Sequence, residues 1–181
     1  SDIDKLLDYG LSIDIDLRSD MEYESWVDVL QHCSEVEYYQ VQLLKDLKMS
    51  SGSLGGIYVN TADSCQKDFY KVFKIMTDNP EKTILFHCAA GKDRTGMTAA
   101  LLLMLAGAAK EDIITDYTVT TENLYSVLDR FASENDENLK DYLGSEGEYI
   151  EKFINHIEKK YHGAESYMKK IGLKESEIKT L

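Results

Sequence analysis

Cysteine is scarce in this 181-residue chain. Cys33, Cys65 and Cys88 are the only three, too few and too scattered for a disulfide framework, and no C-x-x-C pair occurs. A reducing, cytoplasmic setting is therefore the simpler expectation; because Ser1 rather than Met begins the chain, a removed leader and secretion stay open. His32-Cys33 and His87-Cys88 are adjacent pairs, without the two-to-four-residue spacing that wraps a chain around a tetrahedral ion, so no metal or other cofactor is expected. Positive charge is also in short supply: 20 basic against 33 acidic side chains give a net charge of −13, which disfavours nucleic acid and anionic membranes as partners. No apolar run reaches the roughly 18 residues that a membrane span needs. Residues 97–109 form the longest, and read as a buried helix. No internal repeat or low-complexity tract appears, and the length suits one domain, residues 1–181, rather than two.

What is present alternates between strand and helix in the first half. "SDIDKLLDYG" reads as a helix stopped at Gly10. In "SIDIDLRSD", Ile13, Ile15 and Leu17 face one way and Asp14, Asp16 and Arg18 the other, the period of a strand. "MEYESWVDVLQHC" is ambiguous, and "VEYYQVQLL" reads as a second strand. "SSGSLGG", residues 50–56, is expected to be a mobile loop. Phe69, Val72, Phe73 and Met76 recur at helical spacing up to Asn79-Pro80. "TILFH" then reads as a central strand buried on both faces, reached by a parallel crossover. Further helices are marked by Leu124, Val127, Leu128 and Phe131, and by Tyr149, Ile150, Phe153, Ile154, Ile157 and Tyr161, with Ser145 and Glu148 as a capping box for the latter. The expected fold is α/β: a central, mostly parallel sheet flanked by helices, with a helix-rich C-terminal half.

"HCAAGKDRTG", residues 87–96, lies between the strand "TILFH" and the apolar helix. A loop there is an anion cradle, because successive backbone N–H groups and a helix N-terminus point at one spot. Gly91 and Gly96 let the backbone approach a ligand closely. A thiol at the mouth of the cradle, near Lys92 and Arg94, has its thiolate stabilised, which makes Cys88 a candidate nucleophile. The guanidinium of Arg94 matches two phosphoryl oxygens, so the cradle selects a phosphate monoester and attack would give a cysteinyl-phosphate. Thr95 can donate to the sulfur as it leaves, and Asp93 is the nearest general acid. H-C-x-x-G-x-x-R-[ST] arises by chance in on the order of one such chain in 10⁴ to 10⁵. The bland alternative, a structural turn with an inert thiol and a solvated charge cluster, does not require a glycine and a hydroxyl at those offsets.

"HCAAGKDRTG" resembles the signature loop of the cysteine-dependent protein tyrosine phosphatase superfamily. Its K-D-R-T-G ending is similar to a bacterial and fungal branch acting on phosphotyrosine and, in several members, on phosphoserine, phosphothreonine or phosphoinositides. "IDLRSDMEYE", "EDIITDYTVTTENL" and "YHGAESYMKKIGLKESEIKTL" resemble further segments of that branch. The resemblance implies a phosphotyrosine phosphatase-like fold and a tyrosine- or dual-specificity phosphatase. It also implies Cys88 as nucleophile, Arg94 as phosphate-binding arginine, and Asp93 as acid then base. Ala89, Ala90, Gly91, Lys92, Thr95 and Gly96 complete the phosphate-binding loop, with Lys92 associated with extra negative charge on the substrate. His87 is expected to orient the loop. Asp16 either supports the site from the neighbouring strand or forms a strand-end salt bridge with Arg18. Asp116 and Tyr117 read as helix capping and packing.

Two departures stand out. An Asn-Phe-Arg-Asp-Leu-Gly-type segment before the first helix is absent from this chain, so the sheet edge and substrate groove are expected to be incomplete. No Trp-Pro-Asp acid loop occurs, as Trp26 and Pro80 are each the only residue of their kind; Asp63 is the runner-up acid. The expected substrate is a phosphorylated protein, with a phosphoinositide, or capture of phosphoprotein without turnover, as alternatives.

Overall fold

The computed structural model describes residues 1–44, 53–134 and 144–181, and only the backbone of residues 121 and 124–134. Helix α1 (Asp2–Asp8) starts at a capping box in which the Ser1 hydroxyl and the Asp4 carboxylate satisfy each other's backbone donors. The chain then turns through Gly10 at φ +96°, a backbone conformation that glycine adopts without a Cβ clash.

Strand β1 (Leu11–Asp16) pairs in parallel with β2 (Glu37–Gln40) on one side and with β3 (Thr83–His87) on the other, giving the order β2-β1-β3. The central strand is thus β1. "TILFH" pairs with β1 alone among the described strands and is only half-buried along its length, which corrects the sequence expectation of a central strand covered on both faces. An apolar run measures residue chemistry, and strand order is decided by which partners arrive. In β1 the alternation is real, yet both faces are enclosed: Ile13, Ile15 and Leu17 are buried, and so are Asp14 and Asp16. Register places Asp16 beside Gln40 and beside His87, so all three strands finish at one edge. In parallel sheets ligands bind beyond that carboxyl edge.

Helices α3 (Leu54–Ser64) and α4 (Gln66–Asp78) make the crossover to β3. Leu54, Gly55 and Gly56 lie inside α3 rather than in a loop, which corrects the reading of 54–56; Ser53 is the extended N-cap, and residues 50–52 lie outside those described. Gly55 tolerates the helix because it packs closely: a Cβ there would stand 3.3 Å from the Tyr149 backbone. In α4, Phe69, Val72, Phe73 and Met76 are buried as their spacing predicts. Phe69 stacks on Phe73 and meets Tyr167 edge-on.

Helix α5 (Asp93–Leu105) follows the signature loop. Met97, Ala100 and Leu101 are buried, while residues 102–105 pack at the edge of the core and keep some exposure. Helix α6 (Lys110–Glu134) carries the expected periodic segment, but the side chains of Leu124, Val127, Leu128 and Phe131 lie outside those described. Helix α7 (Gly147–Tyr161) buries Tyr149, Ile150, Phe153, Ile154 and Ile157. Its N-cap is Glu146, with no side-chain capping bond, and the Ser145 hydroxyl turns instead towards the Thr118 carbonyl. The Ser145–Glu148 capping box therefore does not form, because the helix begins at Gly147 and leaves Ser145 one residue outside the N-cap position. Helices α8 (Ala164–Ile171) and α9 (Glu175–Ile178) close the chain against α4 and α7. No helix among the described residues is long and apolar enough to cross a membrane.

Candidate active site

The signature loop leaves β3 at His87 and enters α5 at Asp93, with Gly91 at φ +65° making the bend. Cys88 is 6% exposed at the mouth of this turn. Burial pushes its thiol up, but the positive charge of Arg94 and the hydroxyl and backbone N–H of Thr95 outweigh burial, so the thiol is held below its ordinary value. Apart from the Cys88 sulfur, the buried Thr95 hydroxyl has no hydrogen-bond partner among the described residues. It is therefore available to the sulfur.

Arg94 is buried in the first turn of α5, and its guanidinium is already fixed. Glu22, in α2 (Asp20–Ser25), accepts from Nη1 at 2.5 Å and Nη2 at 2.7 Å. Its carboxylate also accepts from the Ser19 backbone N–H at 2.9 Å and hydroxyl at 2.8 Å, closing a capping box. The Arg94 bonds, aided by Ser19 and opposed by partial burial, hold Glu22 down to about 2. A guanidinium has five donors on three edges. With its end edge on Glu22, Arg94 keeps Nε and a neighbouring N–H to offer to phosphate.

Asp93 and Lys92 form a second group. Tyr58 of α3 donates its hydroxyl to Asp93 Oδ1, and the Tyr58 and Tyr117 hydroxyls lie 2.7 Å apart. Both tyrosines are buried, and burial with the nearby Asp93 charge drives the Tyr58 hydroxyl far above its usual range. Asp93 Oδ2 carries no hydrogen bond among the described residues. Gly96 lets α5 approach α6, since a Cβ there would stand 2.8 Å from the Tyr117 ring. Lys92 is buried, lies 3.3 Å from Asp93 Oδ1 and donates to the Gly144 carbonyl at 2.9 Å. Its ammonium thus points inwards rather than out of the loop.

His87 and Asp16 lie behind the loop. The Nδ1 of His87 is 3.1 Å from the Cys88 carbonyl, which can only accept, so Nδ1 carries the proton. Desolvation opposes its charge, but Asp14 and the Cys88 carbonyl overcome it and bring His87 up to about 9. Asp16 is paired with Arg18, whose Nε and Nη2 donate at 2.9 and 2.6 Å, while Tyr38 donates to it at 2.6 Å. Of its two sequence readings, the strand-end salt bridge is the one the geometry forms. Asp63 is elsewhere. At the end of α3 it accepts from Tyr161 at 2.6 Å and Lys160 at 2.8 Å and lies 2.8 Å from the His156 Nε2. Burial opposes ionisation, but these three partners hold its carboxyl down to about 2.

Sequence reasoning did not find Glu22 or Tyr58, and gave Tyr117 only a packing role. The Ser19-x-x-Glu22 spacing marks a helix start, but nothing local ties it to Arg94.

The profile of the tyrosine phosphatase family matches residues 1–181. The chain belongs to that family. It is 32% identical over 200 aligned positions to a tyrosine-protein phosphatase of Nostoc commune, a match that covers 100% of this chain and 68% of that protein. A putative tyrosine-protein phosphatase of Cupriavidus necator is 61% identical over 36 residues, 20% of this chain and 13% of that protein. The family makes this chain a cysteine-dependent phosphatase, in accord with the buried, acidified thiol at the N-terminus of α5.

Proposed function

We propose that residues 1–181 act as one phosphatase domain that hydrolyses phosphotyrosine, with room for dual specificity, on phosphorylated proteins. The observation that carries this reading is Cys88, a buried thiol held low by Arg94 and Thr95 at the start of a backbone cradle. Residues 89–91 present backbone N–H groups to the equatorial phosphoryl oxygens, and the free edge of Arg94 takes two of them. Sulfur attacks phosphorus, the P–O bond to the leaving group breaks, and Asp93 Oδ2 delivers the proton to the departing oxygen. Water then attacks the cysteinyl-phosphate, Asp93 takes a proton from it, and the sulfur leaves with help from the Thr95 hydroxyl.

The phosphoinositide alternative draws its support from Lys92. That ammonium is buried against Gly144 and Asp93, which removes it as a clamp for additional headgroup phosphates, and the net charge of −13 works against an anionic membrane. The test compares wild type with Cys88→Ser on an aryl phosphate, a phosphotyrosine peptide, a phosphoserine peptide and a phosphoinositide panel. Phosphate release from the tyrosine peptide that vanishes in Cys88→Ser is expected. Preferential release from phosphoinositides would overturn the substrate assignment, and release that survives Cys88→Ser would overturn the covalent mechanism.

A further inference from the structure

Behind the loop, three side chains from three separate segments converge: Asp14 from β1, His87 from the end of β3, and Asp28 from the connection after α2. Their candidate ligand atoms all lie within 4.8 Å of one another. Asp14 is 0% exposed, and neither of its carboxylate oxygens has a hydrogen-bond partner; His87 Nε2 has none either. A buried carboxylate without a donor is costly, on the order of several kcal/mol. The arrangement asks for a cation, and without a metal the one at hand is the Nε2 proton of His87, which faces both carboxylates at long range.

The distances indicate which kind. His87 Nε2 stands 3.4 Å from Asp14 Oδ1 and 3.3 Å from Asp28 Oδ2. A charge-assisted N–H···O bond closes to roughly 2.7–2.9 Å, so both separations are long for ion pairs bridged by one proton. Two donors on a tetrahedral ion, each about 2.0–2.1 Å from it, stand about 3.3–3.4 Å apart. The His87 orientation fits as well. Its Nδ1–H is spent on the Cys88 carbonyl, the outer-sphere bond that fixes the ring, so a metal ion that displaces the Nε2 proton finds its lone pair already aimed at the two carboxylates.

Local charge agrees. Asp14, Asp16 and Asp28 bring three carboxylates, against which Arg18 sets one guanidinium, and most of its donors go to Asp16, with Asp28 Oδ2 at 3.4 Å. Once the Nε2 proton of His87 is displaced, a doubly charged ion balances the remaining two negative charges. Asp28 Oδ1 is kept in place by the Leu30 backbone N–H at 2.8 Å; Asp28 and His87 keep 15% and 22% side-chain exposure, so an ion entering from that side would bring its fourth ligand with it as water. We propose that Asp14, Asp28 and His87 form a binding site for a divalent transition-metal ion with nitrogen and oxygen ligands, separate from the phosphate cradle and attached to it through the Cys88 carbonyl.

Zinc and cobalt(II) serve as probes. In Cys88→Ser protein, which removes the catalytic thiol as a competing ligand, calorimetry is expected to give one zinc per chain. Asp14→Asn and Asp28→Asn, each checked for folding by circular dichroism, should weaken that binding by more than about 100-fold, beyond the usual loss of an outer-sphere partner. The cobalt(II) spectrum of Cys88→Ser should show tetrahedral bands without sulfur-to-metal charge transfer, a readout that needs neither aspartate variant to fold. Three outcomes overturn the site: no zinc bound near neutral pH, which would make a proton the resident cation; unchanged binding in either Asp variant; or a thiolate charge-transfer band.

Discussion

Asp93 and Asp63 are both carboxylates beside tyrosine hydroxyls, and their settings differ in what is left over. Around Asp93, Tyr58 and Lys92 address Oδ1, and Oδ2 carries no hydrogen bond among the described residues. Around Asp63, His156 and Tyr161 meet Oδ1 and Lys160 takes Oδ2, so the group is saturated and held ionised. A general acid needs an oxygen free to reach the leaving group, whereas a structural carboxylate gains from having none free. The region around the loop therefore offers reactivity, and the seam between α3 and α7 offers stability.

The largest test of that contrast is a pair of isosteric changes. Asp93→Asn should lower kcat on an alkyl phosphate by about 10²–10⁴-fold, with a smaller loss on an aryl phosphate whose leaving group needs less protonation. Asp63→Asn should stay within about threefold on both, because its substitution leaves the loop intact. A loss confined to Asp63→Asn would invert the assignment. Next in size is Glu22→Gln. Loss of the charge that fixes Arg94 should reduce kcat/KM by about 10–100-fold, and steady-state kinetics with added inorganic phosphate as inhibitor would show whether anion affinity falls in parallel.

Tyr58→Phe sharpens the comparison from the side of positioning. It removes the donor to Asp93 Oδ1 and leaves Tyr117 beside an apolar ring, so about a tenfold loss on the alkyl phosphate is expected, with little change in KM. An equal loss on alkyl and aryl substrates would show that Tyr58 acts through the fold instead. The smallest effect belongs to the seam. A part-exposed ion cluster contributes about 1 kcal/mol, so Asp63→Asn should lower Tm by a few degrees near pH 7. The pH dependence has a definite sign: a carboxyl lowered to about 2 in the fold stabilises it above the ordinary aspartate range of about 3.9, and that contribution is lost as pH falls towards 2. Thermal melts from pH 7 to pH 3 should therefore narrow the gap between wild type and variant.

Much of the site was legible before any fold was known. The loop 87–96 is contiguous, and its chemistry follows from residue types at short offsets: a thiol, a glycine, a guanidinium and a hydroxyl between a strand and a helix. The periodicity of α4 and α7 was equally plain, because each buries one stripe. The misreadings share a cause. "TILFH" lies beside β1 alone among the described strands rather than at the centre, and residues 54–56 lie in a helix rather than a loop, since local composition carries no record of which strand or helix comes to lie alongside.

The sequence by itself determined the α/β class and marked the loop 87–96, with Cys88 as its candidate nucleophile, because these rest on local spacing and on side-chain chemistry. Only the tertiary structure decided what surrounds them. It brought Glu22 to Arg94 across 72 positions and Tyr58 to Asp93 across 35, tied Asp63 to α7, and gathered Asp14, Asp28 and His87 behind the thiol. Such partnerships are fixed by parallel strand order and helix packing, which place distant residues at one sheet edge and leave no mark on either residue's neighbours in the chain.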